Sequence, residues 1–346
     1  MALQRGPASA YYDRKAGRAL LHRARGSGQS ISRVLCPRHK GNTTMKIELI
    51  EDDAALHDWV DVVNTADVWG IPSFEDARYL RGLDAARRDY VLRLDGQAVG
   101  AAFVRPPGGG SQEPCGVASI WVRPGHRRRG VGSAMHRELS EHARRLGLHE
   151  LEIEAQESLA DACAYLERRG YKEVGRHAEL VLELDSVAMP EIRPPAGITI
   201  VTRAERPDLL PDMYRVALEA IPDMPVDDAD EVGSFEEWLA TDMDRPIHTH
   251  DLTFIALHGE EAVGYAVLQR GRDGVAFHSL TGVRRAWRGR GIASALKRAQ
   301  VAGAKQAGFR RLVTENIVGN APIRHLNELM GYKPYAGAII FRGPLL

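Results

Sequence analysis

The alternation of hydrophobic and polar residues predicts regular structure from residue 45 onward. In a first segment, a helix over 130–146 places Val131, Ala134, Met135 and Leu139 on one apolar face. Further helices are predicted near 53–64, 74–88 and 158–169. The predicted strands cover residues 45–51, 89–95, 97–105, 116–123, 149–155 and 171–184, with "DGQ" as a hairpin turn. This segment is therefore predicted to be α/β.

A second segment repeats the first at a fixed spacing of 161 residues. Gly130 matches Gly291, and Gly170-Tyr171-Lys172 matches Gly331-Tyr332-Lys333. Its predicted helices cover 291–307 and 319–330, and its strands lie near 198–203, 252–258, 261–269, 274–284, 310–315 and 332–342. Constant spacing indicates two copies of one domain. We expect domains at 45–184 and 198–346, joined by a proline-containing linker at 185–197.

The first 44 residues differ from the rest of the chain. They carry nine Lys and Arg residues and one acidic residue, Asp13, and they show no sustained periodicity. We interpret residues 1–44 as a disordered basic leader or a start assigned too far upstream. Because the periodic pattern begins at Met45, we expect this leader to be dispensable for folding and activity.

Composition narrows the possible functions. The 346 residues are enough for two domains, and no apolar run approaches the length of a membrane span. The net charge is zero overall, so the basic leader leaves a net charge of −8 on residues 45–346, which disfavours nucleic-acid binding. Cys36, Cys115 and Cys163 are far apart, so we expect no metal site and a reducing cytoplasm.

Each copy contains a basic, glycine-bearing turn between a strand and a helix. "RRRGVG" begins at Arg127 and "RGRGIA" begins at Arg288. The first N–H groups of a helix lack an intrahelical partner, and the helix dipole places partial positive charge there. Glycine lets an anion approach the backbone, so each turn can hold a diphosphate. One such match could be only an exposed basic helix start; two in the same context are stronger evidence.

These turns resemble the signature of the GNAT superfamily, the acyltransferase fold that binds acetyl-CoA. The strings "VASIWVRPGHRRRGVGS" and "HSLTGVRRAWRGRGIAS" carry the R-x-x-G-x-G/A pattern after a strand, and "YLERRGY" and "LNELMGY" resemble the closing helix. The resemblance covers nearly all of residues 45–346. It implies two tandem GNAT domains, each a mixed, mostly antiparallel sheet flanked by helices, like the tandem acetyltransferases related to mycothiol synthase.

The resemblance implies which residues would hold acetyl-CoA or another acyl-CoA. The backbone of the two turns would bind the diphosphate, and the preceding strands would pair with the pantetheine arm. In the first copy these residues are Ile120, Trp121, Val122, Arg127, Arg128, Arg129, Gly130, Val131, Gly132 and Ser133. In the second copy they are Leu280, Thr281, Val283, Arg288, Gly289, Arg290, Gly291, Ile292, Ala293 and Ser294.

The residues that could transfer protons depart from the usual pattern of the family. Many GNAT domains have a tyrosine acid five residues before the closing Phe/Tyr, where this chain has Leu166 and Asn327. His278 or Glu315 could act as the base, or each could be structural: His278 a core or surface histidine, and Glu315 a solvated carboxylate. Asn327 joins these two as a catalytic candidate.

The asparagines of "TENIVGNAPIRHLNELMGY" set the second copy apart. Asn316 and Asn320 could bind the amide groups of pantetheine, although Asn320 could equally be a helix N-cap. The first copy has no asparagine in the matching stretch. We therefore expect the second copy to catalyse transfer and the first to bind acetyl-CoA mainly structurally.

The sequence leaves the acceptor unnamed. The acidic stretch 221–231 could attract an amine, or could be only a solvated loop. We expect an N-acetyltransferase that acts on the amine of a small molecule, as a monomer or weak dimer. The alternative is a non-catalytic acyl-CoA-binding or sensing protein, which the missing tyrosines favour.

Overall fold

The computed structural model describes residues 33–35, 44–67, 69–70, 73–107, 114–223, 232–317 and 321–346. They form two compact units. The first unit contains the described residues up to Ala155, with Leu159–Gly175 and Ile339–Leu346. The second contains Gln156–Ser158 and Arg176–Ala338. The units thus differ from the predicted ranges 45–184 and 198–346, because the end of each repeat's last strand belongs to the other unit.

The first unit is a sheet with helices on its faces. Its strands are β1 (Arg33–Leu35), β2 (Met45–Leu49), β3 (Arg88–Leu94), β4 (Gln97–Arg105), β5 (Cys115–Val122) and β6 (Glu150–Gln156). They lie in chain order, antiparallel except for the parallel pair β5–β6, and the end of the last strand of the chain, β13 (Lys333–Pro344), follows β6. Its helices are α1 (Asp53–Ala66), α2 (Phe74–Leu83), α3 (Val131–Arg145) and α4 (Ala160–Glu167).

Local sequence explains these elements. The Asp52 carboxylate caps α1 by accepting a hydrogen bond from the Ala55 N–H at 2.8 Å. Asp95 and Gly96 have positive φ angles of 49° and 84°, as a tight two-residue hairpin turn requires. The predicted apolar face of α3 is confirmed, since Val131, Ala134, Met135 and Leu139 are all buried in the core of this unit.

The second unit repeats this plan. Its strands are β7 (Lys172–Glu183), β8 (Ile198–Thr202), β9 (His248–His258), β10 (Glu261–Arg270), β11 (Val275–Val283) and β12 (Arg311–Ile317). Their order is β7-β12-β11-β10-β9-β8, antiparallel except for the parallel pair β11–β12. Its helices are α5 (Leu210–Ala220), α6 (Phe235–Trp238), α7 (Ile292–Gln306) and α8 (Ala321–Leu329).

Two apolar layers cover the opposite faces of this second sheet. On one face, Leu296 of α7 packs with Leu182 and Leu312. On the other, Met213 of α5 and Trp238 of α6 pack with strand residues. Side chains alternate between the two faces along a strand. The residues in these two layers therefore show to which face the other side chains of the same strand point. The face covered by α7 is called the α7 face below, and the opposite one the α5 face.

The mixed α/β class with helices around a mostly antiparallel sheet is confirmed. Residues 1–44 contain one strand that the sequence pattern does not predict, β1, which pairs with β2. Among the described residues, no helix is both long and apolar enough to span a membrane.

Candidate active site

Both basic turns have the same backbone form. A short 3₁₀ turn, Pro124–His126 or Arg285–Trp287, leads into α3 or α7. The N-cap residues Gly130 and Gly291 are left-handed, with φ of 84° and 87°, and neither helix has a side-chain cap. Glycine adopts this conformation without steric cost. The first N–H groups of each helix are therefore open to an anion, as the sequence predicts for a diphosphate cradle.

A second left-handed residue precedes each N-cap glycine. It is Arg128 in the first turn, with φ of 62°, and Gly289 in the second, with φ of 74°. A Cβ atom added at Gly289 or Gly130 would meet no heavy atom within 4 Å. The space beside these glycines is open, which fits a bound phosphate group.

The leading arginine of each turn donates hydrogen bonds to backbone carbonyls of neighbouring elements. Arg127 donates hydrogen bonds to the carbonyls of Val122 and Ala66. Arg288 donates from Nε to the Val283 carbonyl at 2.9 Å. These side chains hold the turn against the preceding strand, so a ligand would meet the backbone here.

Arg288 also has a carboxylate partner. Its Nη1 lies 2.6 Å from Asp223 Oδ2, and Arg285 binds the same carboxylate through two hydrogen bonds. Hydrogen bonds from Arg285 are the largest contribution that lowers the pKa of Asp223 to about 2. Asp223 belongs to the acidic stretch 221–231, and its charge is already compensated. Residues 224–231 lie outside the described part of the chain.

The other predicted turn residues divide by exposure. Val131, Ile292 and Ala293 are buried, so only their backbone could meet a ligand. Ser133 and Ser294 are half-buried in the first helical turn. The remaining residues are exposed or half-buried in the turns themselves: Arg129, Gly132 and Arg290, whose guanidinium lies 4.8 Å from the ring centre of Trp287.

In each unit, the strand before the turn separates from the strand after the following helix. β5 and β6 pair as far as Ala118 and Ile153, although both strands continue. β11 and β12 pair only as far as Phe277 and Val313. Beyond these points no ladder bonds join the described strands, so each unit has a V-shaped opening. The facing backbone edge can pair with an extended chain such as pantetheine.

The predicted pantetheine-binding residues lie along these openings. Ile120, Trp121 and Val122 are half-buried, and Trp121 Nε1 donates to Asp67 Oδ2 at 3.2 Å. Leu280, Thr281 and Val283 are buried in the second unit. The two openings thus have the same backbone plan with different side-chain surroundings.

A β-bulge distinguishes the second opening. Val267 of β10 faces Leu280, and the next residue, Leu268, faces His278, so Ser279 is extra on β11. The matching β4–β5 pair runs from Gly100 and Val122 without a shift. Bulges commonly redirect a strand next to an active site. The motif comparison does not reveal this bulge, because no glycine or insertion marks it.

His278 lies in the core. It is fully buried, its Nδ1 is 3.0 Å from Gln300 Oε1 and its Nε2 is 2.6 Å from the Tyr332 hydroxyl. Burial holds its pKa well below the ordinary histidine value. Since both ring nitrogens are occupied, the arrangement matches the structural alternative for His278 rather than a base.

Glu315 occupies a different position. It lies on β12, two residues beyond the last β11–β12 pair, and its parity places it on the α5 face. Its Oε1 is 3.0 Å from Nδ1 of His177, and their side chains are only 2% and 5% exposed. Directly across the ladder stands Glu179, also buried. His177 belongs to the first repeat, so the motifs of the second repeat do not point to it.

The asparagines are partly described. Asn327 is fully buried on α8, as Leu166 is on α4 in the first unit. Asn316 lies on β12, where its backbone pairs with Ala178. Asn320, with its possible N-cap role, lies outside the described residues. No group of His, Cys, Asp and Glu in the described part of the chain could hold a metal ion.

The two halves match a known family. Residues 54–171 and 212–332 each match the model of the acetyltransferase (GNAT) family. Because the matches span more than half of the chain, the protein belongs to this family and carries two GNAT domains. Membership supports acyl transfer from acyl-CoA as the general chemistry. A search of curated proteins found no match.

Solved structures share the tandem fold. A GCN5-related N-acetyltransferase from Sphaerobacter thermophilus is 21% identical, with a TM-score of 0.66 over 87% of this chain and 96% of that one. A tandem GNAT protein from the clavulanic acid biosynthesis pathway is also 21% identical, with a TM-score of 0.68 over 87% of this chain and 99% of that one. At such identities the likeness concerns the fold alone.

Proposed function

We propose that this protein transfers an acetyl group from acetyl-CoA to an amine of a small molecule, and that the second unit performs the chemistry. The observation that carries the proposal is the position of Glu315. This buried carboxylate lies on β12, on the α5 face, beyond the point where β12 separates from β11, the strand that carries the bulge at Ser279. The first unit has the opening and the turn without the bulge.

In this proposal, the second cradle holds the diphosphate through the backbone N–H groups from Arg288 to Ser294. The strand edge from Leu280 to Val283, with Asn316 and Asn320, holds the pantetheine arm. Acetyl-CoA bound there supplies an acetyl group as a thioester. The first cradle, from Arg127 to Ser133, binds a second molecule with a mainly structural effect.

Glu315 acts as the base. It takes one proton from the ammonium group of the acceptor, and the freed amine attacks the thioester carbonyl. The carbon–nitrogen bond forms as the carbon–sulfur bond breaks, and the second nitrogen proton passes to the departing sulfur. Asn327 donates a hydrogen bond to that sulfur in place of the usual tyrosine. The positions of Asn327 and Leu166 also support the alternative, a protein that binds acyl-CoA without turnover.

The remaining expectations are part of the same proposal. The protein works as a monomer or weak dimer in the cytoplasm, without nucleic acid, membrane or metal partners. Cys115 and Cys163 are free thiols.

A thiol-release assay with acetyl-CoA and a panel of primary amines tests the proposal. We expect turnover in the wild type and a loss of at least 100-fold in kcat for Glu315→Gln, with Glu179→Gln as the matched buried carboxylate control. Binding of acetyl-CoA without turnover of any amine would support the alternative.

A matched pair of substitutions tests the roles of the two diphosphate-binding turns independently. Ser133→Glu and Ser294→Glu each add a negative charge to a first helical turn, where a carboxylate is compatible with the helix dipole but repels a diphosphate. We expect Ser294→Glu to reduce turnover far more than Ser133→Glu, and native mass spectrometry to show one bound acetyl-CoA lost in each. Equal losses of turnover would contradict the division of roles.

A further inference from the structure

The strand β7 carries His177 from the first repeat into the second unit. From Arg176 onward this strand belongs to the second unit. It pairs antiparallel with β12 over seven residues, with Glu179 opposite Glu315 and His177 opposite Ile317. β7 is therefore the neighbour of β12 on the side away from the V-shaped opening, although the sequence assigns β7 to the first repeat.

The register places His177 and Glu315 on one face. Leu180 and Leu182 of β7 pack with Leu312 of β12 on the α7 face. Residues of the other parity, which include His177 and Glu315, point to the α5 face. The two residues are diagonal neighbours across the β7–β12 ladder, and long side chains can reach each other over that distance.

The contact is short and buried. Nδ1 of His177 lies 3.0 Å from Oε1 of Glu315. Since an ionised carboxylate only accepts hydrogen bonds, a hydrogen bond across this distance needs the proton of the neutral imidazole on Nδ1. A buried carboxylate is costly unless a donor or a positive charge compensates it, and Nδ1 of His177 lies at ion-pair distance from Glu315.

We propose that His177 is a positioning residue that orients the Glu315 carboxylate for its work as the base. This inference rests on the proposed function of Glu315. It means that the active site of the second GNAT domain is completed by a residue of the first repeat. Within the repeat, the position 161 residues after His177 is Ala338, which has no donor to offer.

Two substitutions at His177 separate positioning from packing. His177→Leu replaces the donor with an apolar side chain that still fills the space. His177→Asn retains an N–H donor near the position of Nδ1. We expect His177→Leu to lower kcat roughly 10- to 100-fold, the range for losing a hydrogen bond to a charged group, with KM for acetyl-CoA within twofold. His177→Asn should recover most of this loss.

A double-mutant cycle links the effect to Glu315. In a Glu315→Gln background, His177→Leu should change kcat less than threefold, because the group that it positions has already been removed. His248→Asn provides a matched control: His248 is another buried histidine of the second unit, on β9, and its Nε2 lies 3.0 Å from Gln269. We expect this control to keep kcat within twofold.

A spectroscopic measurement does not depend on turnover. In nitrogen-15 spectra of histidine-labelled protein, the His177 signal, assigned by its loss in His177→Asn, should show the Nδ1-protonated tautomer and shift in Glu315→Gln. An unchanged kcat in His177→Leu, or an Nε2-protonated tautomer, would overturn the inference while leaving the acetyltransferase proposal intact. A wild type without turnover of any amine would overturn both.

Discussion

Lys297 and His136 occupy equivalent positions on the helices that follow the two basic turns. Nε2 of His136 lies 2.8 Å from the hydroxyl of Tyr171. The amine of Lys297 lies 5.8 Å from the ring centre of Tyr332, the equivalent tyrosine, and no polar atom of the described residues is hydrogen-bonded to it. The same core position thus holds a partnered imidazole in one unit and a buried, unpartnered amine in the other.

Replacement of Lys297 should stabilise the second unit in a pH-dependent way. Burial lowers the pKa of Lys297 from 10.5 to about 7. Between pH 7 and pH 10.5 the unfolded chain binds more protons than the folded protein, so stability rises with pH in this interval. The lysine therefore destabilises the fold most below pH 7, and its effect disappears as the pH approaches 10.5. We expect Lys297→Met to raise the unfolding free energy by a few kcal/mol at pH 6.5 and by little at pH 10.

Chemical denaturation at both pH values measures this difference. Lys333→Met is the control, since Lys333 is exposed in the same unit. A gain that does not depend on pH would indicate better packing instead of relief of a buried charge.

His136 should make the first unit sensitive to acid. Burial lowers its pKa from 6.5 to about 4. As the pH falls from 6.5 to 4 the unfolded chain binds the proton first, so the stability that neutral His136 provides is lost. Urea denaturation should show that the wild type loses up to about 3 kcal/mol more than His136→Gln over this interval. Parallel acid curves for the two proteins would refute this assignment.

The two leading arginines should differ in their contribution to stability. Arg127 donates only to backbone carbonyls, whereas Arg288 also binds the Asp223 carboxylate. Hydrogen bonds to charged groups are stronger than those to neutral ones. We expect Arg288→Ala to reduce the unfolding free energy by about 1 kcal/mol more than Arg127→Ala. Thermal unfolding in low and high salt checks this, because the additional loss should shrink as salt rises.

The left-handed residue of each turn offers a second matched pair. Arg128 carries the steric strain of a positive φ, which Gly289 avoids. We expect Gly289→Ala to destabilise the second unit by about 1 kcal/mol and Arg128→Gly to leave the first unit equally or slightly more stable. A Cβ at Gly289 meets no neighbour within 4 Å, so a larger loss would point to a cause other than backbone strain. Differential scanning calorimetry provides the measurement.

Much of this protein could be predicted from local patterns. The fixed spacing shows the repeat, the apolar positions of α3 define its buried face, and the glycines at 130 and 291 mark the helix starts. Each of these features depends on residues close together in the chain. Local propensity and periodicity therefore indicated the fold class and the two glycine-bearing turns, and the motifs in these turns indicated the family.

The candidate catalytic groups required the tertiary structure. His278 and Glu315 both lie just beyond the last pair of β11 and β12. The side chain of His278 points into the core between Gln300 and Tyr332, whereas that of Glu315 points to the opposite face of the sheet. His177 reaches Glu315 because β7 pairs with a strand whose residues lie 128 to 140 positions further along the chain. Such pairings depend on burial and on hydrogen bonds between distant strands. The sequence by itself determined the repeat, most of the helices and strands and the two glycine-bearing turns, but not β1, α5 or α6. Long-range packing decided which side chains meet.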